Sequence, residues 1–255
     1  MVYPKKHLGQ HFLTDPSIAE RVVKLLPEDK AKIVMEIGPG KGILTYYLIR
    51  ENIKKLIPVE IDSESVNYLV RKYPELKETI VGEDFLKMDE NHFHEEGLHI
   101  IGNFPYNISS QIFFRVLEQR QYIQSVVCMI QKEVAERIVA PPGSKTYGIL
   151  SVLLQAYYDT RFRFNVKPGS FFPPPKVTSS VITLNRNKTQ KLGCDEKLFF
   201  RVVKTAFNQR RKTLRNSLRT ILLTLGDENE LLSKKPEQLG VEDFVSLTNF
   251  VESRM

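Results

Sequence analysis

The chain has little of what secreted, membrane-spanning or cysteine-based proteins require. Its 255 residues include two cysteines, Cys128 and Cys194, far apart in the sequence. Cys128 lies in an apolar run, which favours a buried thiol over a disulfide or a nucleophile. No apolar stretch approaches the roughly 20 residues that a transmembrane helix needs. The first residues also lack the apolar core of a signal peptide, so we expect a cytoplasmic protein with no membrane partner.

A metal site is also not expected. The sequence has five histidines, and none stands at a metal-ligand spacing from a cysteine or carboxylate. Hydrophobic residues make up 42% of the chain and aromatic residues 10%. A chain of this length and composition can bury a full core, and it suits one large domain with a smaller one.

Positive charge is concentrated near the carboxyl terminus. The net charge is +7 and the isoelectric point is near 9.2, which fits a polyanionic partner but also a merely basic surface. The distribution favours a polyanionic partner, because the segment from residue 186 to 219 contains eleven basic residues and only two acidic ones, Asp195 and Glu196. These are Arg186, Lys188, Lys191, Lys197, Arg201, Lys204, Arg210, Arg211, Lys212, Arg215 and Arg219.

Alternating strand and helix patterns predict an α/β fold. Strands are expected over Lys32–Gly38 and Lys55–Asp62, each followed by a helix. Shorter strands are expected at 79–81, 98–103 and 126–131. Tyr157–Val166 and Val177–Leu184 suit an antiparallel pair that completes a mostly parallel sheet. Beyond residue 187 the pattern is helical, including a helix over Arg211–Leu225, so we predict domains at 1–187 and 188–255.

The first strand leads into a glycine-rich loop, Glu36-Ile37-Gly38-Pro39-Gly40-Lys41-Gly42. Glycines let the backbone turn sharply and approach a ligand at the carboxyl end of a parallel strand. The dinucleotide-binding pattern is not met, because Ile43 stands where it needs Gly or Ala.

Acidic and amide side chains follow the next strands. Glu60 ends the second strand, Asp84 follows the third, and Asn103 ends the fourth. Any one of these acids alone is more often a solvated loop residue. Together with Gly38 they stand in register at successive strand ends, where open α/β sheets bind ligands.

Asn103-Phe104-Pro105-Tyr106 predicts a site that methylates an exocyclic amine. Such a nitrogen is a poor nucleophile because its lone pair is delocalised into the ring. Asn103 can accept one N–H bond through its side chain and Phe104 the other through its backbone carbonyl, while Pro105 fixes the turn. Tyr106 can stack on the base. Alone, the tetrapeptide would more often be an ordinary exit from strand to loop.

Several segments resemble known enzymes. The spacing Glu-x-Gly-x-Gly-x-Gly resembles motif I of the class I S-adenosylmethionine-dependent methyltransferases. Four further segments resemble the rRNA adenine N6-dimethyltransferase superfamily. The segment 206–218 is similar to the small-subunit (KsgA, also called RsmA) branch and not to the Erm branch of the large subunit. The four segments are Gly9–Leu13, Asn103–Ser110, Tyr147–Val152 and Phe171–Val177.

The resemblance implies a class I, Rossmann-like methyltransferase fold with a small all-helical carboxyl-terminal domain. It implies an S-adenosylmethionine site formed by His11, Leu13, Gly38, Glu60, Asp84 and Asn103. It implies a catalytic group of Asn103, Phe104, Pro105, Tyr106 and Phe171. In this group Phe171 stacks on the face of the base opposite Tyr106, although it is about as well explained as a hydrophobic plug. Family members commonly have Asn where this chain has His11, and Leu where it has Phe104.

The implied reaction is N6-dimethylation of two adjacent adenosines in the 3′-terminal hairpin loop of small-subunit rRNA, during ribosome biogenesis. The implied partner is the 30S subunit or its precursor, met by a monomer. From the charge pattern we expect Arg210, Arg211, Lys212 and Arg215 to bind the rRNA backbone. The alternative is that these residues pin the helix to the catalytic domain by ion pairs. Alternatives are an assembly factor with dispensable catalysis, an Erm-like large-subunit enzyme, and a small-molecule methyltransferase. The basic second domain disfavours the last of these.

Overall fold

The computed structural model describes residues 2–28, 33–51, 53–93, 97–221 and 229–255. The chain forms two compact units. The first contains Met1–Ala135 and Asp159–Arg186, and the second contains Glu136–Tyr158 and Asn187–Met255. A single division at residue 187 therefore does not describe the units. Residues 136–158 cluster with the carboxyl-terminal helices, where Tyr147 and Phe207 bring their rings within 6.2 Å.

The first unit contains a six-stranded sheet in the order β3-β2-β4-β5-β8-β6. The pairs β2/β3, β2/β4 and β4/β5 are parallel, and β5/β8 is antiparallel. The predicted mostly parallel sheet is confirmed. The strands are β2 Ile33–Ile37, β3 Lys55–Val59, β4 Leu98–Asn103, β5 Ile123–Gln131, β6 Tyr158–Val166 and β8 Ser179–Arg186.

A separate two-stranded antiparallel sheet joins the amino-terminal segment to the proline-rich segment. Its strands are β1 Phe12–Leu13 and β7 Phe171–Phe172. The third strand predicted near residues 79–81 is wrong as a strand, because only Val81 forms a bridge, parallel to Val59. Two hydrogen bonds hold it, from Val81 N to Pro58 O and from Glu60 N to Val81 O.

The helices of the first unit alternate with the strands as predicted, and one further helix lies near the amino terminus. They are α1 Pro16–Val23, α2 Ile43–Leu48, α3 Ser63–Lys72, α4 Ser109–Glu118 and α5 Lys132–Val139, of which α5 crosses the boundary between the units. The helix α1 was not predicted. It is capped by Asp15, which accepts from Ser17 N and Ile18 N, and its buried Ala19, Val22 and Val23 belong to the main apolar core.

The second unit is helical, with α6 Ile149–Gln155, α7 Glu196–Asn208, α8 Leu214–Ser217 and α9 Val241–Glu252. The predicted helix Arg211–Leu225 is wrong at its start. Arg211 and Lys212 lie in the turn before Thr213, which is the N-cap of α8, and residues 222–225 lie outside the described residues. Within the described ranges, no helix combines the length and apolar character needed to cross a membrane.

Candidate active site

A cavity of about 260 Å³ lies at the carboxyl ends of β2, β3 and β4. This is the edge at which open parallel sheets bind ligands. Eight of the residues expected at the site line this cavity, and Leu13 and Phe171 do not. The eight are His11, Gly38, Glu60, Asp84, Asn103, Phe104, Pro105 and Tyr106.

Two glycines bring the first loop close to its neighbours. Gly38 has φ 66°, in the left-handed region that side chains rarely adopt, and its N–H donates to Val59 O at 2.9 Å. Gly40 has φ 54°, and a Cβ there would lie 2.7 Å from the Phe12 ring. A larger residue at either position would strain the loop, and at position 40 it would also displace a wall of the cavity.

Glu60 is a buried carboxylate held in one orientation. Its Oε2 accepts from Gly40 N and its Oε1 from Asp62 N, both at 3.0 Å. Burial raises its pKa, while these backbone hydrogen bonds act in the opposite direction. A carboxylate has about four lone-pair sites, so Glu60 keeps acceptor capacity toward a diol in the cavity.

Asp84 also has a fixed side chain. Its Oδ1 accepts from Leu86 N at 3.0 Å, an Asx turn that closes the loop after Val81. Within the described residues, no group of three or more His, Cys, Asp or Glu side chains could hold a metal ion.

The side-chain amide of Asn103 has a defined orientation. Its Nδ2 donates to the backbone oxygen of His11 at 2.7 Å. This bond occupies the donor end of the amide, so Oδ1 is the end that remains for accepting an N–H. Phe104 is held by its backbone N–H, which donates to Met129 O at 3.0 Å, and by its buried ring against Phe113.

Tyr106 and His11 form a stacked pair. Their ring centroids are 5.5 Å apart and their planes differ by 28°. The Tyr106 hydroxyl is hydrogen-bonded to Ser179 Oγ, and His11 Nδ1 lies 2.7 Å from Pro173 O. Sequence reasoning expected His11 as a cofactor contact, and the structure adds that its imidazole stacks on Tyr106.

Leu13 and Phe171 face away from the cavity. They are paired in the β1/β7 ladder, and both side chains are buried in the apolar core. Because side chains alternate along a strand, the neighbouring Phe172 points to solvent. The predicted stacking of Phe171 on a base is therefore not supported here, and the hydrophobic plug is the better description. Leu13 likewise supports the site from the core.

An amino-terminal strap, defined as residues 5–13, contributes more of the cavity wall than the sequence predicts, since only His11 and Leu13 of this segment are expected at the site. Residues 7–12 line the cavity. Lys5 Nζ anchors the strap to Asp62 Oδ1 at 2.5 Å and to Glu64 Oε1 at 3.2 Å. The Asp62 carboxylate is 1% exposed, and Asp62 N in turn donates to Glu60. The sequence feature that could have indicated this anchor is Asp62, an acidic residue two positions after Glu60.

The strap predicts an effect of Lys5→Gln on ligand affinity. Losing the Lys5–Asp62 pair should loosen one end of the cavity wall and raise the dissociation constant of the cavity's ligand roughly two- to fivefold, as expected for a partly exposed ion pair. Calorimetric titration measures it. Lys6→Gln is the matched control, because Lys6 is exposed and next in sequence. Equal affinities of the two variants would contradict the anchoring role.

Glu36 predicts a pH dependence of stability. It is 1% exposed, its Oε2 accepts from Thr45 Oγ1 at 2.6 Å, and Oε1 has no hydrogen-bond partner among the described residues. Burial raises its pKa from 4.5 to about 8. Because folding raises its pKa, protonated Glu36 stabilises the folded state fully below pH 4.5. That contribution is lost as the pH rises to about 8.

Glu36→Gln should remove that loss. The free energy of unfolding of the unaltered protein should fall between about pH 4.5 and 8, by an amount on the order of several kcal/mol, and that of the variant should not show this fall. Thermal unfolding followed across this range is the measurement. Parallel curves for the two proteins would mean that Glu36 is ionised in the folded state at neutral pH.

The four basic residues expected to bind RNA do not behave alike in the second unit. The Arg210 guanidinium donates to the carbonyl oxygens of Ser144 and Lys145 and lies 3.9 Å from Glu237. Arg210 is therefore a structural clamp on the loop before α6. Arg211 and Lys212 are exposed, and Arg215 is half-buried on α8.

Comparison with known proteins gives a family match over most of the chain. The family model described as "Ribosomal RNA adenine dimethylase" matches residues 3–249. A protein of Flavobacterium johnsoniae is 55% identical, over 99% of this chain and 97% of its own length. A protein of Bacteroides thetaiotaomicron is 52% identical, over 100% and 96%. Both are named "Ribosomal RNA small subunit methyltransferase A".

Solved structures show the same fold. A dimethyladenosine transferase from Plasmodium falciparum superposes with a TM-score of 0.80 at 24% identity, covering 96% of this chain and 98% of that one. The 23S rRNA methyltransferase ErmE gives a TM-score of 0.70 at 23% identity, covering 93% and 99%. At these identities the likeness establishes the fold alone.

Proposed function

Because the chain belongs to the ribosomal RNA adenine dimethylase family, we propose that it transfers methyl groups from S-adenosylmethionine to N6 of adenosine in small-subunit rRNA. Two methyl groups go to each of two adjacent adenosines in the 3′-terminal hairpin loop, during ribosome biogenesis. The full-length relatives at 52–55% identity support the small subunit over an Erm-like large-subunit target.

The orientation of Asn103 is the observation that supports this chemistry best. With Nδ2 committed to His11 O, Oδ1 can accept one N6–H, and the Phe104 carbonyl can accept the other. Two acceptors draw the nitrogen lone pair out of the ring and toward the methyl group, so positioning and electron localisation carry the reaction. No covalent intermediate with the protein is needed.

The cavity fits S-adenosylmethionine, whose sulfonium supplies an electrophilic methyl group. The oriented Glu60 carboxylate suits the ribose hydroxyls, and Asp84 suits the adenine amino group. The positive φ of Gly38 lets the backbone approach the ligand closely. His11 and Asn103 complete the wall from the strap and from the end of β4.

The target adenosine must leave its base stack to reach such a cavity. Tyr106 offers a stacking face for it, held by the Ser179 hydroxyl. His11 already covers one face of that ring, so the base takes the other face or displaces the imidazole. Phe171 is buried in the apolar core, so we assign it no part in stacking on the base.

A role as an assembly factor with dispensable catalysis is the second candidate. The complete set of amine-binding groups argues that catalysis is retained, although an assembly role beside it is compatible with the same fold. Incubating the protein with S-adenosylmethionine and the rRNA of either small or large ribosomal subunits, supplied within the subunits, tests the proposal. Methyl transfer to the small-subunit RNA alone is expected, and transfer to neither RNA would favour the assembly factor.

We further propose that the protein acts as a cytoplasmic monomer on the 30S subunit or its precursor. The exposed Arg211 and Lys212 of the second unit bind the rRNA backbone by neutralising phosphates, without reading bases. Arg215, half-buried on α8, adds a third cation. Arg210 is left out of this group, because its guanidinium is used within the unit.

Replacing Arg211 and Lys212 together with Gln should weaken RNA binding and flatten its salt dependence. The log–log slope of affinity against salt should become shallower by about 0.7–0.9 per lost phosphate contact. Melting temperature and cofactor affinity should stay unchanged.

The control for this variant is Arg71→Gln with Lys77→Gln, two exposed residues of the first unit with the same total charge. If the control flattened the slope equally, the effect would be one of net charge. Arg210→Gln should instead lower the melting temperature by a few degrees and leave the slope intact.

A further inference from the structure

Phe172 and Lys41 form an exposed aromatic and cationic patch beside the cavity, called the Phe172–Lys41 patch below. Phe172 is 54% exposed. Lys41 Nζ lies 6.0 Å from the centroid of the Phe172 ring and 5.4 Å from that of Phe12. Both distances are within the range of a cation–π contact.

The patch is held in place from several directions. In the β1/β7 ladder Phe172 is opposite Phe12, and Phe12 lines the cavity. His11 Nδ1 contacts the carbonyl oxygen of Pro173, directly after Phe172. Lys41 belongs to the glycine-rich loop, and its carbonyl oxygen accepts from Lys72 Nζ at 3.2 Å. Phe172 is therefore a fixed aromatic face, paired with a residue of the cavity wall.

This arrangement has no role in the chemistry assigned above. Phe171, not Phe172, fills the core, so Phe172 is not needed there. A large apolar ring left in water beside a cation is complementary to a ligand with a flat face and a negative charge. A nucleotide has both, in its base and its phosphate.

We propose that the Phe172–Lys41 patch binds the nucleotide next to the adenosine being methylated. Its base stacks on the Phe172 ring and its phosphate pairs with the Lys41 ammonium. The proposal rests on the proposed function. Extruding the target base removes the stacking partner of its neighbour, and the Phe172 ring replaces that lost partner. The patch would hold the RNA strand in register while the target base lies in the cavity.

The test uses the full-length protein and a small-subunit rRNA fragment that contains the terminal hairpin. Phe172→Ala should raise the KM for this RNA roughly tenfold, a loss typical of one stacked base. Phe172→Tyr should restore it. Cofactor affinity and melting temperature should not change in either variant. Phe162→Ala is the matched control, because Phe162 is 38% exposed on β6 of the same unit.

A fluorescent base gives a readout that a merely structural role would not move. With 2-aminopurine placed next to the target adenosine, binding to the unaltered protein should quench fluorescence by stacking, and Phe172→Ala should abolish the quench. Lys41→Gln should retain the quench and make the salt slope shallower by about 0.7, the value for one phosphate of a single strand.

Methyl transfer by the unaltered protein, with an unchanged KM and quench in Phe172→Ala, would overturn the inference and leave the proposed function standing. No methyl transfer by the unaltered protein, either to the fragment or to small subunits that lack the modification, would overturn both. A raised KM for the assembled subunit but not for the free RNA fragment would also overturn it, since Phe172 would then contact a ribosomal protein.

Discussion

Asn103→Ala is expected to slow methyl transfer by about a hundred- to a thousandfold, the loss seen when one oriented hydrogen-bonding group is removed from a reacting centre. The variant loses the acceptor for the amine. It also loses the bond from Nδ2 to His11 O, so cofactor affinity should fall modestly as the strap loosens. Single-turnover rates at saturating cofactor and RNA separate the two effects.

Asn103→Asp supplies the matched comparison. It keeps an acceptor oxygen and loses the donor to His11, so it should weaken cofactor binding about as much as Asn103→Ala while transferring methyl groups faster. If both variants matched the unaltered protein in single-turnover rate, the amine would have to be bound elsewhere in the cavity.

Glu60→Ala should raise the dissociation constant of S-adenosylmethionine roughly tenfold to a hundredfold, because it removes charge-assisted bonds worth about 1.5–3 kcal/mol. It also leaves Gly40 N and Asp62 N without their acceptor. Melting curves are therefore recorded alongside the calorimetric titration.

Glu60→Gln separates charge from shape, since it keeps the volume and one acceptor oxygen. An intermediate affinity is expected. The exposed Glu78→Ala controls for the loss of one negative charge. An unchanged dissociation constant in a folded Glu60→Ala would remove the ribose from this position.

The parallel sheet and most of the cavity were predictable from local patterns. The strand Ile33–Ile37 is buried at every position and is apolar except for Glu36. The carboxyl ends of the parallel strands meet at one edge, so Gly38, Glu60 and Asn103 were brought together by topology alone. The position of Asp84 at the cavity was also predictable, although the strand expected before it is only a bridge at Val81. The reason is that the Asx turn at Asp84 depends on neighbouring residues alone.

What sequence reasoning missed depends on contacts between distant segments. Phe171 and Phe172 are indistinguishable by type, and only the pairing of β7 with β1 decides which one is buried. Arg210 differs from Arg211 because carbonyl groups 65 and 66 residues away in sequence meet its guanidinium. The role of Lys5 depends on Asp62, 57 residues away.

The central claim is tested most directly by nucleoside mass spectrometry of rRNA from small and from large ribosomal subunits that lack the modification, each incubated separately with the purified protein and S-adenosylmethionine. The account predicts N6,N6-dimethyladenosine at two adjacent positions of the 3′-terminal hairpin loop, and its loss with Asn103→Ala. Unmodified adenosine at both positions with the unaltered protein, or dimethyladenosine in large-subunit rRNA instead, would contradict it.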